Sequence, residues 1–193
     1  MARLAPNLRN DARHSQIVIP MINYKEKLHA VRAFVFDFDG VMTNGDVWVY
    51  ADRETVRCGN IKDGYAVQYA VKKGYTIAVI SGATSASIDN RMAMLGVKQC
   101  YTGCGDKIHT YNKFLADNGL KDEEVLCMGD DLPDYPMLKR AGVSACPADA
   151  AVEIKEMVDY VSHCEGGKGC VRDVIEQVLR LHGQWFHEDA VVW

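Results

Sequence analysis

The chain has 193 residues, of which 48% are hydrophobic and 25% charged, the composition of a soluble domain with enough residues for a sizeable core. A formal net charge of −4 and the lack of a basic block argue against a nucleic-acid partner, because a phosphate backbone needs positive charge to neutralise it. Seven scattered cysteines, no secretion signal and no apolar run of membrane-spanning length lead us to expect a cytoplasmic protein without a membrane partner.

Short apolar runs alternate with amphipathic stretches along most of the chain. Residues 1–30 are expected to form a tail or arm, 31–183 a single domain, and 184–193 a second tail. The predicted strands are 33–37, 75–80, 99–101, 125–128, 143–146 and 159–161. The predicted helices are 64–73, 85–95, 107–118, 135–141, 150–157 and 171–182, and several of them end at a glycine. This alternation predicts an α/β fold with a doubly wound, Rossmann-like parallel sheet.

One segment interrupts the alternation. Residues 46–58 contain two β-prone runs, 47–50 and 55–58, joined by Ala-Asp-Arg-Glu. We expect a β-hairpin that projects beside the end of the first strand.

The end of the first predicted strand carries two aspartates, Asp37 and Asp39, followed by Gly40. Because side chains alternate along a strand, Asp37 and Asp39 are expected on one side with Phe38 opposite. Two converging carboxylates repel each other unless a divalent cation lies between them or one holds a proton, and hard oxygen ligands favour magnesium. The pattern fits a metal-dependent nucleophile.

Polar groups also follow the other central strands, where ligands bind in open parallel sheets. Ser81 and Gly82 follow one strand, Asp130, Asp131 and Asp134 follow another, and Lys107 begins the helix between them. Each motif alone is compatible with a turn, a cap or a solvated helix residue. Together and in this order they favour phosphoryl transfer.

In that chemistry, Asp37 could attack phosphorus and form an aspartyl phosphate. Asp39 could protonate the leaving alkoxide and then activate water. Ser81 and Lys107 could bind phosphate oxygens, and Asp130 could complete the magnesium shell.

These residues resemble the four motifs of the haloacid dehalogenase-like hydrolase superfamily, in the form Asp37-x-Asp39-Gly40, Ser81-Gly82, Lys107 and Gly129-Asp130-Asp131. Four longer blocks, 37–45, 60–65, 129–134 and 166–172, look like the 3-deoxy-D-manno-octulosonate 8-phosphate (KDO 8-phosphate) phosphatase family. The resemblance covers about residues 33–182.

This resemblance implies a capless, Mg²⁺-dependent cytoplasmic phosphatase of lipopolysaccharide precursor synthesis that acts on a sugar-acid phosphate. It implies a homotetramer with the 46–58 hairpin at the interface. Asp37 and Asp130 are then metal ligands, and Asp39 is a ligand through its backbone carbonyl. The carried-over substrate contacts are Asp39, Asn60, Ile61, Lys62, Asp63, Gly64, Arg91, Lys107 and Lys168, with Asp131 and Asp134 in support.

The chain departs from this family at four positions. The family commonly has arginine where Lys62, Ala83 and Lys168 stand, and another arginine near Gln68. Lysine keeps the charge but loses the planar fork that grips a carboxylate, and Gln68 and Ala83 carry no charge. A nonulosonate 9-phosphate phosphatase is therefore an alternative for the substrate.

Two further expectations concern the assembly. Similar domains serve as non-catalytic oligomerisation modules of sugar-acid activating systems, which is an alternative of another class. Trp185, Phe186 and Trp193 are expected at a subunit interface, because exposed aromatic side chains often mark contacts.

Overall fold

A six-stranded parallel sheet forms the centre of the molecule. The computed structural model describes residues 23–51 and 55–192, so expectations about residues 1–22 and Trp193 fall outside these ranges. The sheet has the order β5-β4-β1-β6-β7-β8. Its strands are β1 (Ala33–Phe36), β4 (Thr76–Ile80), β5 (Gln99–Tyr101), β6 (Val125–Met128), β7 (Val143–Cys146) and β8 (Tyr160–Val161), and a separate antiparallel pair comprises β2 (Trp48–Val49) and β3 (Thr55–Val56).

Helices cover both faces of this sheet, as the doubly wound prediction requires. In chain order they are α1 (Tyr24–Lys27), α2 (Ile61–Lys72), α3 (Ala86–Met94), α4 (Lys107–Asn118), α5 (Tyr135–Leu138), α6 (Val152–Met157) and α7 (Cys170–Leu181). Short 3-10 turns lie at Leu28–Ala30, Asp122–Glu124, Leu132–Asp134 and Glu188–Val191. The prediction of an α/β fold with a projecting hairpin and no cap domain is confirmed for the described ranges.

The alternation of side chains along β1 divides the core in two. Phe34 and Phe36 pack in the cluster that includes residues of α2, α3 and α7. Ala33 and Val35 pack in the other cluster, with residues of α4, α5 and α6. All four residues are buried, which explains why β1 is a continuous apolar run. β4 and β6 flank β1 in parallel register, so the residues that follow these three strands emerge at one edge.

The first long helix begins earlier than predicted. α2 starts at Ile61 because Asn60 caps it, accepting hydrogen bonds from the backbone N–H of Lys62 (2.8 Å) and Asp63 (3.4 Å). Part of the expected N-terminal tail is also structured, since Tyr24–Lys27 form α1 and Leu28 is buried in the core.

The C-terminal segment packs on α2. Trp185 lies edge-on to Tyr69, with ring centroids 5.5 Å apart, and Lys73 forms a 2.6 Å ion pair with Asp189. Trp185 therefore has partners within its own chain, whereas Phe186 is exposed. The helices in the described ranges are all too short or too polar to cross a lipid bilayer.

Candidate active site

The site is centred on Asp37, the first residue after β1. Its backbone N–H donates to the Met128 carbonyl (3.0 Å), which continues the pairing of β1 with β6. Its carboxylate lies 2.9 Å from Lys107 Nζ, and the same ammonium donates to Asp134 at 2.6 Å. Lys107 is brought here because it is the first residue of α4, capped by Asp106. Burial lowers the pKa of Lys107, but Asp37 and Asp134 more than offset this and raise it to about 12, so the ammonium stays charged.

A third carboxylate completes the cluster. Oxygens of Asp37, Asp130 and Asp134 lie within 4.8 Å of one another. Burial, and then the charge of Asp134, raise the pKa of Asp37 to about 8 and that of Asp130 to about 7. Three carboxylates and one ammonium leave a formal charge of minus two. Either a shared proton or a divalent cation would relieve it, the two possibilities that the sequence left open.

The donor set fits a small divalent cation. Asp130 Oδ1 is buried and accepts no hydrogen bond from the described residues, so one hard oxygen is available for an ion. Gly40, at φ +82°, lets the loop approach closely: a Cβ there would lie 2.1 Å from Asp130 Oδ2. Asp134 is already engaged by Lys107 and by the backbone N–H groups of Asp130 (3.0 Å) and Asp131 (3.3 Å). Asp134 therefore links Lys107 to the backbone of the loop that carries Asp130 and Asp131.

Asp39 does not join this cluster. Its carboxylate was expected to converge with that of Asp37, and that expectation is wrong. β1 ends at Phe36, and the chain then turns, with Met42 N–H donating to the Phe38 carbonyl at 2.9 Å. The two-residue alternation of a strand therefore does not extend to Asp39. Its Oδ1 instead accepts a 2.6 Å hydrogen bond from Arg57 Nε.

Sequence reasoning did not identify Arg57. It follows β3 in the hairpin, its side chain is only 8% exposed, and its Nη1 donates to Thr55 Oγ1 at 2.9 Å. An arginine as the penultimate residue of a hairpin predicted beside the site was the available signal, but its pairing with Asp39 depends on how the hairpin folds back.

Ser81 lies where it was predicted, immediately after β4. It is buried, and its Oγ accepts a hydrogen bond from the Ala83 N–H (3.2 Å), which leaves the hydroxyl proton free to be donated. β4 and β6 flank β1, so Ser81 and Asp130 emerge on either side of Asp37. Asp131 caps the 3-10 turn that follows, through the Leu132 N–H (2.8 Å).

The glycine-rich loop at residues 166–169 is held by hydrogen bonds with residues at the start of α2. Asn60 Nδ2 donates to the Gly167 carbonyl (3.0 Å). Asp63 is fully buried and accepts from the backbone N–H of Gly169 (3.1 Å) and Arg172 (2.7 Å) at the start of α7. Burial raises the pKa of Asp63 despite these donors. Asp63 was predicted to contact substrate; its carboxylate instead holds the loop and is closed to solvent.

Most of the remaining predicted contacts line two cavities whose walls do not include Asp37, Lys107 or Asp130. Lys62 and Lys168 line one cavity with Arg172, and neither lysine has an ion-pair partner among the described residues. Arg91 lies beside Asn60 and Gly64 around a small cavity. Ile61 is 75% exposed. The cationic side chains thus line these two cavities, while Gly64 itself is buried.

This parallel sheet, with its acidic cluster and lysine at the carboxyl ends of the central strands, is that of a haloacid dehalogenase-like hydrolase. A family model described as haloacid dehalogenase-like hydrolase matches residues 102–172. The chain is 31% identical, over 158 residues, to 3-deoxy-D-manno-octulosonate 8-phosphate phosphatase KdsC of Salmonella typhi, covering 82% of this chain and 84% of the relative. It therefore belongs to the KDO 8-phosphate phosphatase family, and it is a phosphoric monoester hydrolase.

Solved structures similar to this chain include other KDO 8-phosphate phosphatases. The 3-deoxy-D-manno-octulosonate 8-phosphate phosphatase of Yersinia pestis matches with a TM-score of 0.82 and 29% identity, covering 84% of this chain and 88% of that one. The enzyme of Moraxella catarrhalis, in complex with magnesium, phosphate and KDO, matches with a TM-score of 0.80 and 26% identity, covering 83% and 92%. These relatives are enzymes, which argues against the non-catalytic alternative.

Proposed function

We propose that the protein hydrolyses KDO 8-phosphate to KDO and phosphate through an aspartyl phosphate on Asp37. The observation that carries this proposal is the buried Asp37 carboxylate, held 2.9 Å from Lys107 and clustered with Asp130, whose Oδ1 accepts no hydrogen bond from the described residues. The names of the relatives support the substrate, since they are KDO 8-phosphate phosphatases.

In the first step a carboxylate oxygen of Asp37 attacks phosphorus, and the bond from phosphorus to the ester oxygen breaks. Asp39 gives its proton to the departing alkoxide. In the second step Asp39 takes a proton from water, whose oxygen attacks phosphorus and breaks the bond to Asp37. Both carboxyl groups are thereby restored, and general acid and base catalysis of this kind contributes about 100- to 10,000-fold.

The neighbouring groups neutralise and orient the phosphoryl group. Asp37, Asp130 and the backbone carbonyl of Asp39 would hold Mg²⁺, which when bound would supply positive charge near the phosphoryl oxygens. Lys107 adds a fixed positive charge, and Ser81 donates its hydroxyl proton to a phosphate oxygen. Asp134 keeps Lys107 in place by accepting its hydrogen bond.

We propose that Lys62, Lys168 and Arg91 supply positive charge for the carboxylate of the sugar acid. Because Ala83 stands where the family commonly has arginine and Gln68 lies near another such position, a nonulosonate 9-phosphate is the second candidate. Hydrolysis of the eight- and nine-carbon esters by the purified protein separates the two. A higher kcat/KM for the nine-carbon ester would overturn our choice.

We further propose a cytoplasmic homotetramer that serves lipopolysaccharide precursor synthesis. The hairpin exposes apolar side chains, with Trp48 68% and Val49 72% exposed, and such a patch marks a contact surface. Trp48→Ser should lower the mass measured by light scattering after gel filtration. An unchanged tetramer, or a monomeric wild-type protein, would contradict this interface.

The central test of the proposed reaction is phosphate release from KDO 8-phosphate with and without Mg²⁺. We expect release to require Mg²⁺ and to be abolished by Asp37→Asn, with assembly unchanged. Substantial turnover by Asp37→Asn would remove Asp37 from the role of nucleophile.

A further inference from the structure

The side chain of Asp39 is held by a single arginine outside the four motifs. Asp39 Oδ1 accepts a 2.6 Å hydrogen bond from Arg57 Nε, and the Asp39 side chain is 30% exposed at the edge of the site. Its other oxygen, Oδ2, has no hydrogen bond within the described part of the chain. One oxygen is therefore anchored by Arg57, and this contact restricts the rotation of the carboxyl group.

The arginine that holds Asp39 is itself fixed. Its side chain is almost fully buried, and Nη1 donates to Thr55 Oγ1 at 2.9 Å. The planar guanidinium thus has two anchors in a set geometry, which a lysine ammonium cannot reproduce. Lys107 supplies no equivalent anchor for Asp39, because its ammonium is paired with Asp37 and Asp134.

We propose that Arg57 is a positioning residue that aims Asp39 at the leaving oxygen of the ester. This inference rests on the proposed role of Asp39 as the general acid. Arg57 touches neither phosphorus nor the leaving group, and it acts by restricting the rotation of the Asp39 carboxyl. Because Arg57 lies in the hairpin, the geometry of the acid depends on the hairpin as well as on the sheet.

Esters with different leaving groups can distinguish this positioning role of Arg57 from a purely structural one. An alkoxide must receive a proton as it departs, whereas p-nitrophenolate is a stable anion and leaves without one. We therefore compare kcat/KM for benzyl phosphate and p-nitrophenyl phosphate, which are similar in size and carry no carboxylate. This parameter includes only the steps through phosphoryl transfer to Asp37, so later hydrolysis of the intermediate does not mask the effect.

We expect Arg57→Met to lower kcat/KM for benzyl phosphate by at least about 10-fold more than for p-nitrophenyl phosphate. Without Arg57 the Asp39 carboxyl is no longer held toward the leaving oxygen, so part of the general acid catalysis is lost. Arg57→Lys should recover part of this loss. Arg32→Met is the matched control, because Arg32 forms a single ion pair with Glu124 at the amino ends of β1 and β6, away from the site. It should change neither rate.

Two results would overturn the inference. If Arg57→Met slows both esters equally, Arg57 has only a general structural role, and retained p-nitrophenyl phosphate turnover shows that a variant is folded. Asp39→Asn tests the underlying role separately. If Asp39→Asn discriminates between the esters and Arg57→Met does not, only the inference fails; if Asp39→Asn treats both alike, the acid role of Asp39 fails and the inference with it.

Discussion

Replacing Lys107 with methionine should destabilise the protein severely. The Lys107 ammonium lies 2.9 Å from Asp37 and 2.6 Å from Asp134, and all three side chains are at least nine-tenths buried. Its removal leaves Asp37, Asp130 and Asp134 together without their only cationic neighbour among the described residues. Breaking a buried ion pair from one side costs about 3–5 kcal/mol.

The cost should depend on pH because the carboxyl groups can take up protons. Burial is the largest cause of the raised pKa values of Asp37, about 8, and of Asp130, about 7, while Lys107 lowers both. Without Lys107 both values rise further, so near pH 6 the carboxyls are protonated and repel each other less. The destabilisation should therefore be greater near pH 9 than near pH 6.

The assay is thermal or urea unfolding in EDTA. For a chain of this size each kcal/mol corresponds to about 2–4 °C, so Lys107→Met should lower Tm by about 6–20 °C. Lys113→Met is the matched control on the same helix, because Lys113 pairs with Asp117 in solvent, where an ion pair contributes little to stability. Equal shifts for the two variants would refute the reasoning.

Three further predictions concern the cluster and its supports. Mg²⁺ should raise Tm more near pH 8 than near pH 6, because it competes with protons for Asp37 and Asp130, whose pKa values are raised to about 8 and about 7; a shift independent of pH would exclude this competition. Gly40→Ala, which would put Cβ 2.1 Å from Asp130 Oδ2, should abolish the Mg²⁺-induced rise, whereas Gly119→Ala, at positive φ but with no atom within 4 Å, should keep it. Asp63→Asn should cost about 1–3 kcal/mol in urea unfolding, because a buried amide cannot accept as well from two backbone N–H groups at the start of α7; unchanged stability would show that this contact contributes little.

The sequence predicted the sheet and helices well because their signals are local. β6 and α4 occur at the predicted residues, since a buried apolar run and a capped amphipathic segment are visible along the chain. Lys107 and Asp130 reached the site because the rule for parallel sheets brings strand ends to one edge. The order of strands and helices along the chain was enough to place both residues in the site.

The misplaced and missed residues depend on contacts between distant segments. The Asp39 carboxylate does not lie beside that of Asp37, because β1 ends one residue earlier than predicted and the chain then turns. Arg57 reaches Asp39 from a hairpin 18 residues away, and Asp63 meets the start of α7 more than a hundred residues later. No periodicity within a segment reports such pairings.

The nucleophilic role of Asp37 is tested most directly by the stereochemistry at phosphorus. A phosphorothioate ester made chiral with oxygen isotopes is hydrolysed in isotopically labelled water, and the configuration of the product is determined. Two successive in-line displacements, first by Asp37 and then by water, give retention. Inversion would mean that water attacks the ester in a single step and would contradict the account.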